Sequence, residues 1–218
     1  NTMIVPANLL DRVAVGATVT TVLNEWGRID VLVNNARFTG PGHMDSVLDT
    51  PTEYIDKTME ANFFAPVALC RLILRGMIER GSGWIVNITS RAAYDDPSAP
   101  PGKGGWGFIY GASKAALYRV AGSINIEVGD LGVHAVNVDP GLVASERVLL
   151  ETGAFGIPVE HGGPPDAIGA AVAWLVTDPC GPSLAHGGVI HAQQLCHEHS
   201  LLPGWPGPKP IPRSTSDV

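Results

Sequence analysis

The sequence lacks a basic surplus. Its 218 residues carry 14 lysines and arginines against 21 aspartates and glutamates, a net charge of −7 with histidine neutral. No basic block interrupts that balance, so nucleic acid finds no electrostatic footprint and is not an expected partner. Cysteine is scarce. Cys70, Cys180 and Cys196 are odd in number and far apart, which suits reduced thiols in a cytoplasmic protein and not a disulfide framework. Membrane-length apolar runs are lacking too: the longest are strand-sized and broken by Asn, Asp or Gly, so no membrane partner is expected. No basic segment precedes an apolar core at the amino terminus, and no signal peptide is expected.

What is present is a chain 45% hydrophobic, enough for one well-buried domain. Apolar segments alternate with amphipathic ones, the pattern of βαβ units on a parallel α/β sheet. Strands are predicted at 3–6, 30–34, 84–89, 133–138 and 188–191. The run Val31-Leu32-Val33 shows no polar alternation, as burial on both faces requires. Helices are predicted at 11–26, from 50 or 52 to 80, at 109–128 and at 166–177. Glu53, three residues after Thr50, suggests a capping box for the long helix, and Pro66 would bend it. Residues 94–107 form a Pro/Gly loop. The domain runs over 1–192; from Gln193 the pattern dissolves, and 193–218 reads as an extended or disordered tail.

Tyr110 opens YGASK, and Lys114 stands four residues later, so on a helix the two share one face. A phenol ordinarily titrates near ~10, and a lysine ammonium held close lowers that value into a range useful for acid–base chemistry. Ser90 ends the apolar run WIVNITS and would hydrogen-bond the same substrate oxygen; Thr89 beside it offers a rival hydroxyl. Asn62 sits in the apolar stretch MEANFFAPVAL, where an unpartnered amide costs roughly 1–3 kcal/mol and therefore needs a partner or a task. Two other patterns mislead. Gly102, Gly104 and Gly107 spell G-x-G-x-x-G, yet they follow PSAPP and not a strand. His191, Cys196, His197 and His199 are metal-ligand types at a spacing that fits no zinc pattern, and no metal is expected.

In order and spacing, DVLVNNA, the stretch with Asn62, WIVNITS, YGASK and VHAVNVDPG resemble the short-chain dehydrogenase/reductase family over residues 3–192. The resemblance implies a Rossmann-like doubly wound sheet, NAD or NADP as cofactor, and hydride transfer to a small carbonyl substrate or from an alcohol. It implies Ser90, Tyr110, Lys114 and Asn62 as catalytic residues, with Asn62 holding a water that links the lysine to solvent. Asn35 and Ala36 would line the adenine-ribose side, Asn34 would brace the sheet, and Asn8 would stand beside the adenine. Tyr110 and Lys114 would also touch the cofactor, and Pro140, Gly141 and the main chain of Val143 would meet its carboxamide. Ser113 is expected to pack. Arg37 replaces a family glycine, either crowding the ribose or offering a cation to a phosphate. Ala144-Ser145 replaces a family threonine, and 146–163 is the segment expected over substrate, with Phe155, Ile157 and Val159. A homo-oligomer, dimer or tetramer, is implied through the long helices.

The family's glycine-rich turn, which cradles the pyrophosphate at a helix N-terminus, follows no strand of this chain. Residues 3–9 resemble the third family strand, so the chain reads as truncated at its amino terminus. The rival reading is a non-catalytic fragment that keeps the catalytic half, binds no dinucleotide and has a structural role.

Overall fold

The computed structural model describes residues 1–210 apart from 39, 43, 147, 149–160 and 187. Among them, four strands form one parallel sheet in the order β1-β2-β3-β4: β1 Val31–Asn34, β2 Gly83–Ile88, β3 Val133–Asp139 and β4 Val189–His191. Parallel neighbours demand crossovers, which helices supply. They are α1 Arg12–Trp26, α2 Thr52–Met59, α3 Ala65–Arg80, α4 Phe108–Val128, α5 Pro165–Thr177, α6 Gly181–Ala185 and α7 Ala192–Glu198.

Strand alternation divides the core in two. Ile85, Val133 and Ala135 face Val19 of α1, Ile73 and Met77 of α3, and Ala121 and Ile124 of α4. Val86, Ile88, Val136 and Val138 face the other way, onto Ala171 and Leu175 of α5 and Leu195 and Cys196 of α7. Helices therefore cover both faces, as a doubly wound sheet requires.

Four expectations change. Residues 3–6 form no strand; among the described residues no strand pairs with the segment, and Asn8 turns the chain into α1 by accepting Leu10 N–H on Oδ1 at 3.0 Å. β1 is an edge strand, and Val31 and Val33 are exposed rather than buried on both faces. The capping box does not form: Thr50 Oγ1 donates to Ser46 O at 2.6 Å, Glu53 pairs with Lys57, and Pro51 precedes the helix. The predicted tail begins with a helix instead. α7 spans the expected 192/193 boundary because Leu195 and Cys196 bury against α5, while His199 stacks on Trp174 at 4.1 Å.

The long helix is also interrupted. Between α2 and α3, residues Glu60–Phe64 form a π-helical turn in which Ala65 N–H donates to Glu60 O. Pro66 has no N–H to continue the α ladder, so the widened turn falls just ahead of it. The helical run Thr52–Arg80 is long and apolar enough to cross a membrane by composition, contrary to the shorter runs read from sequence. In this fold its buried side is core, with Met77 and Ala65 at 0% exposure.

Candidate active site

The carboxyl ends of β1, β2 and β3 converge on one mouth, the position where open α/β sheets bind ligands. Ser90 follows β2 in extended conformation and opens a 3₁₀ turn, its Oγ accepting Ala92 N–H at 3.3 Å. Thr89 is drawn away from the mouth. It is buried, and both its N–H and its hydroxyl are given to Val138 O on β3. That leaves Ser90 as the hydroxyl at the strand end.

Tyr110 lies in the first turn of α4. One turn on, Lys114 is buried, and its Nζ donates to Ile88 O at 2.6 Å. The electrostatics differ from expectation. Burial holds the Tyr110 phenol above its ordinary value; the Ser90 hydroxyl and the Arg37 charge work against that rise, and Asp139 works with it. Burial first, then Arg37, pushes the Lys114 ammonium down to about 8, against the pull of Asp139. A lysine depressed that far is a weak source of positive charge near pH 8. The cation that favours the phenolate is Arg37.

Asn62 sits in the π turn and is 1% exposed. Both ends of its amide are used: Oδ1 accepts Phe38 N–H at 2.7 Å, and Nδ2 donates to Ser113 Oγ at 3.0 Å. Ser113 Oγ in turn donates to Tyr110 O at 3.0 Å. Ser113, expected only to pack, is therefore a polar link between the π turn and the tyrosine. Asn34 behaves as the expected brace, with Nδ2 donating to Asn87 Oδ1 at 2.9 Å across the β1–β2 register. Asn35 and Ala36 are exposed at the end of β1. Asn8 is exposed and spends its side chain on its own turn.

After β3, Pro140-Gly141-Leu142 is fastened from an unexpected quarter. Gln193 of α7 donates through Nε2 to Pro140 O at 2.8 Å and Leu142 O at 2.7 Å. Gly141 takes φ 66°, and a Cβ there would stand 3.0 Å from Gln193 Nε2. Both facts call for glycine. Val143 bridges to Gly163, and Ser145 Oγ accepts Val148 N–H at 3.3 Å. Phe155, Ile157 and Val159 lie outside the described residues.

Asp139, at the end of β3, is 5% exposed and accepts from the Tyr94 hydroxyl and, at 2.9 Å, from Gly141 N–H. Burial and this carboxylate hold the Tyr94 phenol far above its ordinary value. His191 Nδ1 lies 3.8 Å from the same carboxylate. A cavity of about 360 Å³ opens here, lined by Asp139, Gly141, Leu142, His191 and Gln193 among others. The four possible metal donors near the carboxyl terminus diverge: Cys196 is core, His199 stacks on Trp174 and His197 faces Trp205.

The chain as a whole has known relatives. The family model for short chain dehydrogenase matches residues 1–150. A fatty acyl-CoA reductase of Mycobacterium tuberculosis is 33% identical over 177 residues, 80% of this chain and 55% of that protein. A 2-(R)-hydroxypropyl-CoM dehydrogenase of Xanthobacter autotrophicus is 34% identical over 139 residues, 64% of this chain and 53% of the relative. The chain thus spans about half the length of each. Among solved structures, a short-chain dehydrogenase from Streptomyces avermitilis superposes with a TM-score of 0.68 at 25% identity, covering 88% of this chain and 72% of the other. A metagenomic short-chain oxidoreductase in complex with NADP gives a TM-score of 0.53 at 31% identity, covering 64% and 59%.

Proposed function

The chain belongs to the short-chain dehydrogenase family, and from that premise we propose that it is an oxidoreductase moving hydride between NAD or NADP and a ketone or secondary alcohol. The observation that carries the reading is Tyr110 in the first turn of α4 with Lys114 buried one turn on, its Nζ bonded to Ile88 O at the carboxyl end of β2. The mouth fits a dinucleotide on this chain's own features. Gly141 keeps main chain open where a Cβ would collide, and Asn35 and Ala36 are exposed at the neighbouring strand end. Asn35, Ala36, Tyr110, Lys114, Pro140, Gly141 and Val143 are the residues that would hold it; Asn8, spent on its turn, has less support.

When bound, the nicotinamide supplies or takes the hydride. Tyr110 gives its phenolic proton to the carbonyl oxygen in reduction, or takes the alcohol proton as phenolate in oxidation. Ser90 donates to the same oxygen and fixes its position. Lys114, near its titration midpoint at pH 8, exchanges a proton with the tyrosine side of the site. Asn62, buried in the π turn and tied through Ser113 to the Tyr110 carbonyl, completes the route by holding a water that links the lysine to solvent. The free cysteines Cys70, Cys180 and Cys196 support a cytoplasmic setting. Ile126 on α4, 90% exposed, supports self-association along that helix; a monomer in sedimentation would remove that point.

Nicotinamide fluorescence with NADH and NADPH tests binding, and absorbance with a panel of ketones and secondary alcohols tests turnover. Tyr110→Phe is expected to lower turnover by roughly 10²-fold or more, the usual scale of positioned acid–base catalysis, with cofactor affinity nearly unchanged. Retained turnover rejects the role of Tyr110. Failure of both dinucleotides to bind rejects the reading in favour of a non-catalytic role.

A further inference from the structure

Beside Ala36 stands a cation whose visible partner is an aromatic ring. The Arg37 guanidinium lies over Tyr110, with Cζ 5.7 Å from the ring centroid, and the residue is half-buried. Among the described residues no carboxylate pairs with it. A guanidinium cannot be deprotonated in a protein, so its charge is permanent where that of Lys114 is not.

The backbone holds this arrangement in place. Phe38 N–H, immediately after Arg37, is bound to Asn62; Asn62 is bound to Ser113, and Ser113 to the Tyr110 carbonyl. Three hydrogen bonds therefore tie the residue next to the cation to the residue under it. Each runs between elements far apart in sequence or within the first turn of α4, so the guanidinium-over-ring geometry does not depend on the arginine side chain alone. Lys114 is directed elsewhere, onto Ile88 O.

Resting on the proposed acid–base role of Tyr110, we infer that Arg37 is a positioning residue of that site: its fixed charge, held against the tyrosine face, stabilises the phenolate and opposes the ammonium of Lys114. The other groups acting on the pair are Ser90, whose hydroxyl acts on the phenol alone, and Asp139, which opposes Arg37 at both sites. Tyr94 and His191 reach the pair only through Asp139.

The chain has four lysines, Lys57, Lys103, Lys114 and Lys209, of which only Lys114 is buried. Their side-chain ¹³C resonances can be titrated without cofactor or substrate, with Lys114→Met providing the assignment. Arg37→Gln removes a cation, so the Lys114 midpoint should rise from about 8, by roughly half a pH unit or more. Arg37→Lys should hold it near the wild-type value, and Lys57 should not move in either variant. In alcohol oxidation, which needs the phenolate, the rising limb of the pH profile should move to higher pH in Arg37→Gln and return in Arg37→Lys. A Lys114 midpoint unmoved in Arg37→Gln, or moved equally by both substitutions, overturns the inference. Because the resonance titration needs no turnover, it can fail while Tyr110→Phe still abolishes activity, and the two ideas fall separately.

Discussion

Lys114 and Tyr110 share a site with one permanent cation and one buried carboxylate, and the balance between those two sets where protons reside. Asp139 acts on both groups in the sense opposite to Arg37. Asp139→Asn keeps one acceptor oxygen where the carboxylate gives Oδ2 to Tyr94 and Oδ1 to Gly141, and it removes the negative charge, so Lys114 should titrate below about 8. That is the mirror image of Arg37→Gln, and the same ¹³C titration reads it; a midpoint that stays or rises would show that Asp139 has no electrostatic reach to the lysine. The residue types here were legible in sequence where chemistry restricts the choice. A serine at a strand end and a Tyr-x-x-x-Lys face are such cases. The role of Asp139 is not written locally, because its partner Tyr94 lies 45 residues away along the chain and no local pattern joins the two.

Helix α4 and the π turn show how an element places these residues. α4 begins at Phe108, so Tyr110 falls in its first turn and Lys114 one turn further in, as the spacing required. The turn that faces it was less legible. Pro66 signalled a bend, but the widened turn around Asn62 goes with Phe38 N–H donating to its amide oxygen and Ser113 Oγ accepting from its amide nitrogen. Asn62→Ala would strand the part-buried Phe38 N–H and leave Ser113 Oγ with only its bond to Tyr110 O. The cost expected is about 1–3 kcal/mol per unsatisfied group, read as a lower urea midpoint. Asn62→Asp keeps one acceptor and should recover part of it. Helix α7 escaped detection because AQQLCHE is short and mostly polar, with only Leu195 and Cys196 to mark its core face. Gln193 nevertheless ties that helix to the loop after β3. Gln193→Ala should lower stability by a similar amount and weaken dinucleotide binding together with it; weakened stability with intact binding would separate the loop from the cofactor site.

Across the whole molecule, the two core faces were legible from periodicity because the apolar side chains of β2 and β3, interrupted by Asn87 and Asn137, fall on both faces, as in central parallel strands. β1 was misread for the same reason: Val31 and Val33 are just as apolar, yet edge position leaves them exposed, and position in a sheet is not written in one strand. Burial of the central region also links the site to global stability. Lys114 titrates at about 8 in the fold against 10.5 for an exposed lysine, so between those values the unfolded chain binds more protons and stability rises with pH. Cys70 acts in the other direction. Burial lifts its thiol from 9.0 to about 11, so stability falls as pH climbs through that interval. The two windows overlap above pH 9, and only the lysine contributes from about 8 to 9. Stability should therefore rise by about 1 kcal/mol between pH 8 and 9, measured by urea denaturation at each pH. Lys114→Met, which has no proton to lose and no charge to bury, should flatten that rise and raise stability most below pH 8. A rise that survives in Lys114→Met would mean that the buried ammonium is not the group being titrated, and the electrostatic account of the site built on Arg37 and Asp139 would lose its reporter.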